Sequence, residues 1–232
     1  SFARLHELIM RKIWFLLVPL GVVGLLWNTI FLAPLKILVV FFHEASHAFM
    51  TILTGGQVKE MVVSVLQGGH VISLGGNRFL TLSAGYLGSL CWGAAIYLLG
   101  ACTRFDREIN FLLGCSILGI TVVFMTPFSQ ETGTSLGYII CLLTGAFLIF
   151  SSRKLANRFN DIVLRFVGLT SMIYAPLDIY SDVIARSHMR SDAFMLAEEI
   201  GGTTLLWGVI WILISLGICF LVVRFGLKHE AE

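Results

Sequence analysis

Three residues near the start of the chain, His43, Glu44 and His47, form the pattern His-Glu-x-x-His, which is typical of a metal-dependent hydrolytic site. On a helix, residues four apart lie on one face, so both imidazoles can bind the same metal ion. Two neutral histidines suit zinc, whose third protein ligand is often a carboxylate, with a fourth position left for water. Glu44 would accept a proton from the water as it attacks a carbonyl carbon, and later donate it to the leaving amine. The alternative is a buried cluster in which these side chains only hydrogen-bond one another.

Two aspartates far along the chain, Asp178 and Asp182, have the same four-residue spacing. We predict Asp178 as the third zinc ligand, although it could instead cap a helix after Pro176, which is expected to break the helix locally. Asp182 has three open interpretations: a group that orients a ligating histidine, an alternative ligand, or an interfacial charge beside Arg186.

The composition places these residues in a lipid bilayer. Of the 232 residues, 57% are hydrophobic and only 13% are charged, and the mean hydropathy is +0.88. Soluble domains have about 25% charged residues, so this chain lacks the residues for a water-facing surface. A net charge of +2 excludes a nucleic-acid-binding protein, and the composition excludes disorder and a disulfide-stabilised scaffold. We therefore expect an integral, multi-pass membrane protein.

Seven apolar stretches approach the ~20 residues that a helix needs to cross a bilayer. They are residues 13–33, 37–54, 82–101, 111–126, 136–151, 166–185 and 203–223. The only acidic, basic or histidine side chains within them are the five of the two sets above. Each such group in hydrocarbon costs about 3 kcal/mol or more, and it persists mainly where it is paired or functional. Their confinement to the second and sixth stretches therefore indicates one functional site.

The second and sixth stretches place the two sets at similar depths. An even number of membrane crossings separates these stretches, provided that the segment after the second one does not cross. They therefore run in the same direction. His43, His47 and Asp178 also lie at similar distances from the starts of their stretches, at about 1.5 Å per residue. We expect them to meet at one site, which water must reach through a polar cavity.

The segment 55–81 is rich in glycine and β-branched residues and predicts a β-hairpin with its turn at residues 67–70. A hairpin with open edges cannot face lipid, so it must pack on protein or line a wet cavity, entering and leaving on one side of the membrane. His70 could touch substrate or metal, or be a solvated turn residue. The hairpin itself could be purely structural, or one strand could pair with an extended substrate.

A short amphipathic segment, 193–200, precedes the last apolar stretch. Ser191 or Asp192 is placed to cap it as the N-terminal residue of a helix. We predict a surface helix leading into that stretch and assign it no part in the site.

Four short motifs resemble the site-2 protease family of intramembrane zinc metallopeptidases. They are Phe42-His43-Glu44-Ala45-Ser46-His47-Ala48, Thr54-Gly55-Gly56, Ala84-Gly85-Tyr86-Leu87-Gly88-Ser89 and Leu177-Asp178. The chain is most similar to the small branch labelled peptidase M50B-like, which Ser191-Asp192-Ala193 and the tryptophan-rich stretch after it also resemble. The resemblance implies Glu44 as catalytic base and His43, His47 and Asp178 as zinc ligands. Ile179 replaces the glycine of the family's Leu-Asp-Gly motif, so the choice between Asp178 and Asp182 stays open.

Together these observations predict an all-α polytopic membrane protein of six or seven transmembrane helices, with a short re-entrant β-hairpin after the helix that bears His43. All residues, 1–232, would form one domain. The expected function is a zinc metalloprotease that hydrolyses peptide bonds in or near transmembrane segments, with a membrane-protein substrate and the lipid bilayer as partners and no nucleic acid. The alternative is a non-catalytic metal-binding scaffold or transporter that retains the fold. Polar groups at one depth only argue against transport, which needs a polar path across the membrane.

Overall fold

The computed structural model describes residues 21, 25–26, 29, 32–65, 68–129, 132–186 and 189–229 of the chain. Within them the structure is mainly helical, and one two-stranded sheet follows the first helix. In chain order the elements are α1 (Ala33–Leu53), β1 (Gln57–Ser64), β2 (Gly68–Leu74), α2 (Arg78–Cys102), α3 (Asp106–Phe124), α4 (Thr134–Lys154), α5 (Asn157–Tyr180), α6 (Asp192–Ile200) and α7 (Thr204–Lys228). A π-helix, Ser181–Ala185, continues α5.

Six helices among the described residues, α1 to α5 and α7, are long and apolar enough to cross a membrane. They correspond to the second to seventh predicted stretches and confirm the all-α polytopic architecture. The first predicted stretch, 13–33, lies almost entirely outside the described residues. Large apolar side chains cover the outer faces of the helices, and α7 buries only Gly208, Trp211, Ser215 and Gly226. Such a surface suits lipid tails, and the chain is an integral membrane protein.

Two glycines let α2 and α5 pack backbone to backbone. A Cβ on Gly93 would lie 2.6 Å from the Met172 nitrogen, and one on Gly168 would lie 2.5 Å from the Tyr97 nitrogen. Neither position has room for a side chain. Close approach through small residues is how helices associate in lipid, where no hydrophobic force drives them together. This contact fixes the helix that bears Asp178 against the helix that follows the hairpin.

Pro176 does not break α5, contrary to the prediction. The helix continues through Pro176 to Tyr180 and then passes into the π-helix. Proline removes the hydrogen bond to the carbonyl four residues earlier, which here is that of Met172. The Cys219 thiol of α7 donates to this carbonyl instead, with 3.5 Å between Sγ and O. Because a neighbouring helix replaces the missing donor, Asp178 lies on a continuous helix and not at a cap.

The predicted hairpin is confirmed, although its turn comes earlier than expected. β1 and β2 are antiparallel, with Ser64 opposite Gly68 at the closed end. Gly68, Gly69 and His70, which were predicted as turn residues, therefore belong to β2. The remaining predicted turn residue, Gln67, lies outside the described residues.

The hairpin packs on protein, which is what the expected entry into the membrane requires of an open-edged sheet. It contacts α1, α3 and α4. The outer edge of β1 is covered, because Met61 pairs with Met125 and its carbonyl accepts from the Thr126 nitrogen at 3.0 Å. Within the described residues the sheet has two strands only, so β2 forms its other edge.

The predicted surface helix, α6, packs closely on the bundle. It begins at Asp192, and Ser191 is its N-cap, accepting a hydrogen bond from the Phe194 nitrogen at 3.3 Å. Ala193 and Leu196 are fully buried in an apolar cluster with residues of α2, the π-helix and α7. Because Ser191 already fills the cap position, the Asp192 carboxylate is available for another contact.

Candidate metal centre

α1 presents His43 and His47 on one face, as their spacing predicts. The helix begins with Pro34 in its first turn, where proline is favoured because that nitrogen needs no helical partner. The two ring centroids are 4.8 Å apart. The apolar residues around this pair are buried in the main core of the protein, so the imidazoles lie in a largely enclosed environment.

The ring of His47 is fixed by the backbone of α2. Its Nδ1–H donates to the Thr81 carbonyl oxygen at 2.7 Å. A carbonyl can only accept, so this bond places a proton on Nδ1, and when the ring is neutral the lone pair is on Nε2. Hydrogen bonds of this kind orient ligating histidines in metal sites. His47 therefore points Nε2 toward α6, and in the neutral form that binds a metal this nitrogen is the donor.

The third group at this point is Asp192, from the start of α6. Its Oδ2 lies 3.1 Å from Nε2 of His43 and 3.1 Å from Nε2 of His47. Among the described residues, these three form a group whose ligand atoms all lie within 4.8 Å of one another. Donors bound to a tetrahedral zinc ion at about 2.0 Å are ~3.3 Å apart. The donor types and their spacing therefore fit zinc, with a fourth position left for water.

The surroundings of Asp192 favour its ionised form. Burial acts to raise its pKa, but the charges and hydrogen bonds of the His47 and His43 imidazoles outweigh burial and hold the pKa below its usual range. The first turn of a helix also favours a negative charge. The ionised carboxylate is the form that binds a metal.

Gly85 of α2 leaves the room that the two imidazoles need. A Cβ on this residue would lie 2.5 Å from Nε2 of His47 and closer still to Nε2 of His43. Any side chain at this position would push on both donor nitrogens. Gly85 thus bounds the space beside the donor group.

The structure places Asp178 and Asp182 beside this group but not within it. Asp178 approaches His43 with Oδ2 at 3.9 Å from Nδ1. Asp182 accepts from the Tyr86 hydroxyl at 2.5 Å and lies 2.6 Å from Nη2 of Arg186. The ligand role of Asp178 stays a prediction, which this geometry does not favour, because another carboxylate already faces both Nε2 atoms.

Glu44, the predicted base, lies next to His43 on α1 and is enclosed by the hairpin. It is only 4% exposed. Gly69 of β2 packs directly on it, since a Cβ on Gly69 would lie 2.6 Å from Cγ and 2.7 Å from Oε1 of Glu44. The hairpin therefore restricts the side chain to the space beside the histidines.

A cavity of about 1050 Å³ adjoins the site. It lies between α1, β2, the end of α5 and the start of α6, and its lining includes His43, Glu44, His70, Asp178 and Asp192. His70 thus faces the cavity from a strand. A space of this size can hold water and an extended segment of polypeptide, which agrees with the polar access expected for a buried site.

Comparison with protein-family models matches residues 16–222 to the model described as Peptidase M50B-like. The chain belongs to this family. At the family level the M50B-like protein is a membrane peptidase of the site-2 protease type, in agreement with its motifs. Comparisons with curated proteins and with solved structures give no match.

Asp192 belongs to the candidate donor group of this M50B-like protein, and the sequence analysis did not place it there. It lies outside the apolar stretches, so a search for ionisable residues in the membrane passes over it. The sequence also offers Ser191 and Asp192 as equally good helix caps. The motif Ser191-Asp192-Ala193, similar to the same branch, was the one sequence feature that could have identified it.

Proposed function

We propose that this M50B-like protein is a zinc metalloprotease that hydrolyses peptide bonds in or near the transmembrane segments of membrane proteins. The observation that supports this most is the Asp192 carboxylate oxygen, 3.1 Å from Nε2 of both His43 and His47. Glu44 lies beside these donors on the same helix, and membership of a peptidase family supports the class of reaction.

His43, His47 and Asp192 would hold the zinc, which would polarise the peptide carbonyl and make a nearby water more acidic. Glu44 accepts the proton that the water loses as its oxygen bonds to the carbonyl carbon. When the C–N bond breaks, Glu44 donates this proton to the amine nitrogen, and its carboxylate is regenerated. The contact with Gly69 keeps Glu44 within reach of both positions.

The proposed substrate is a membrane-protein segment in extended form. A helix hides its peptide carbonyls in its own hydrogen bonds, so a transmembrane substrate must unwind locally before cleavage. β2 lines the cavity, and within the described residues no strand covers its outer edge. An extended chain could pair with this edge through backbone hydrogen bonds and so place a carbonyl near Glu44.

Glu44→Gln tests the proposal with the purified protein in lipid vesicles and a co-reconstituted single-pass substrate. We expect cleavage to be lost, because an amide cannot accept the proton, whereas zinc content by elemental analysis and the thermal unfolding midpoint stay unchanged. The matched control is Glu108→Gln, which alters an exposed carboxylate at the start of α3 and should leave cleavage intact.

Cleavage by Glu44→Gln at the wild-type rate would exclude Glu44 as the base. A wild-type protein that binds zinc but cleaves none of a panel of single-pass membrane proteins would instead support the non-catalytic scaffold. The same variant should capture its substrate uncleaved, which allows the membrane partner to be identified by mass spectrometry.

A further inference from the structure

The two ring nitrogens of His43 face two different acids. Nε2 lies 3.1 Å from Oδ2 of Asp192, and Nδ1 lies 3.9 Å from Oδ2 of Asp178. The two nitrogens of an imidazole point in different directions in the ring plane. A carboxylate on the Nδ1 side therefore does not face an ion held by Nε2 of the same ring.

His47 shows what a group on the Nδ1 side does. Its Nδ1–H is held by the Thr81 carbonyl at 2.7 Å, while Nε2 faces Asp192. His43 needs an equivalent partner, because a histidine that can rotate, or that has its proton on Nε2, binds metal poorly. In the described structure Asp178 is the acid on that side of the ring.

Asp178 is itself held in place from two sides. The Tyr174 side chain hydrogen-bonds to it, and Nη2 of Arg186 lies 3.8 Å from its Oδ1. Its other oxygen, Oδ2, is the one that approaches His43. The carboxylate is therefore oriented before any metal binds.

The face of the His43 ring is bounded as well. The Tyr86 ring meets it edge-on, with centroids 5.0 Å apart. The Tyr86 hydroxyl donates to Asp182 at 2.5 Å, so the second aspartate of the pair fixes the tyrosine. Both acids of the sixth apolar stretch thus act on His43, one at the ring edge and one through Tyr86.

We propose that Asp178 is a positioning residue, not a ligand: it holds the proton of His43 on Nδ1 and orients the ring so that Nε2 faces the metal. This inference rests on the proposed metal site. At 3.9 Å the contact is longer than a direct hydrogen bond of about 2.9 Å. A bridging water, or a shift of ~1 Å when a cation binds Nε2, completes it.

The test measures two properties of each variant: its affinity for zinc and the coordination geometry of the bound metal. Dissociation constants for zinc are measured in detergent by competition with a chelating dye, and the cobalt-substituted protein gives a visible spectrum that reports coordination geometry. We expect Asp178→Ala to weaken zinc binding by about 10–100-fold while the cobalt spectrum stays tetrahedral. Asp178→Glu should recover most of the affinity. Asp178→Asn keeps the shape of the side chain and serves if the alanine variant does not fold.

Two further variants show how zinc affinity responds to the loss of a ligand and to a change far from the site. Asp192→Ala should lose far more affinity and change the cobalt spectrum, because it removes a ligand. Asp106→Asn alters a buried carboxylate at the start of α3, where it accepts from Asn157 at 2.8 Å, and should leave zinc affinity unchanged. Thermal unfolding of each metal-free variant separates a positioning effect from a general loss of stability.

Zinc affinity within twofold of wild type in both Asp178→Ala and Asp178→Asn would overturn the proposal. So would an altered cobalt spectrum in the Asp178 variants combined with a normal one in Asp192→Ala, because Asp178 would then be the ligand. A wild-type protein that binds no zinc would instead refute the proposed function, which keeps the two failures distinguishable.

Discussion

Two glycines shape the site because they lack side chains. Gly85 lies against Nε2 of His43 and His47, and Gly69 lies against the side chain of Glu44. The first therefore bounds the space beside the donor group, and the second bounds the space of the proposed base. Adding a single methyl group at each position should separate metal binding from catalysis.

Gly85→Ala is expected to abolish stoichiometric zinc binding, because the new Cβ would displace both donor nitrogens. Elemental analysis of the purified variant measures this directly. Gly119→Ala is the matched control, since nothing lies within 4 Å of its added methyl group. Zinc binding by Gly85→Ala with wild-type affinity would show that the donors are not where the structure has them.

Gly69→Ala is expected to keep zinc and to lose most of the cleavage rate, at least about tenfold. Its Cβ would lie 2.6 Å from Cγ of Glu44, so the carboxylate must move, and small displacements of catalytic groups are costly. Rate measurements on a reconstituted substrate, with zinc content determined in parallel, provide the check. Equal losses of zinc and activity would contradict this separation of roles.

At the scale of elements, α6 is the helix that brings the third donor, Asp192, to α1. An exposed ion pair joins it to α2, with 2.8 Å between Nε of Arg78 and Oε1 of Glu199. Leu196 of α6 is fully buried and packs in an apolar cluster with residues of α2 and α7. Exposed pairs contribute about 0.2–1 kcal/mol, whereas a leucine-to-alanine change in a core costs about 2–5 kcal/mol. The apolar contact should therefore dominate the docking.

Leu196→Ala is accordingly expected to weaken zinc binding by about tenfold or more, because 1.4 kcal/mol of lost docking corresponds to tenfold in affinity. Arg78→Gln should cost no more than about fivefold. Leu213→Ala is the matched control, because it makes the same leucine-to-alanine change on the exposed face of α7. If Arg78→Gln weakened zinc binding more than Leu196→Ala, the ion pair with Glu199 and not the apolar contact of Leu196 would hold α6 in place.

The elements also show what the sequence could and could not predict. The histidine pair, the hairpin and six spans follow from local periodicity and composition, and the structure confirms the helices and the hairpin. The continuity of α5 through Pro176 could not be predicted, because the donor that replaces the lost bond is Cys219 of another helix. The position of Asp192 depends likewise on how α6 docks, which is a tertiary contact that no local pattern encodes.

At the scale of the whole molecule, an apolar shell encloses a polar cavity. The exposed residues of the spans are mostly large and apolar, while the cavity brings together the histidines, the acids and residues of β2. The docking of α6 on the bundle brings donors from α1 and α6 together although well over a hundred residues separate them in sequence. The central claim is that His43, His47 and Asp192 together hold one divalent cation.

Zinc stoichiometry, measured after loading with zinc and removal of the excess metal, tests this claim most directly. Elemental analysis of the wild-type protein and of Asp178→Asn should give one zinc per chain, and Asp192→Ala should give none after the same removal of excess metal. One zinc per chain in Asp192→Ala, or none in the wild type, would contradict the account.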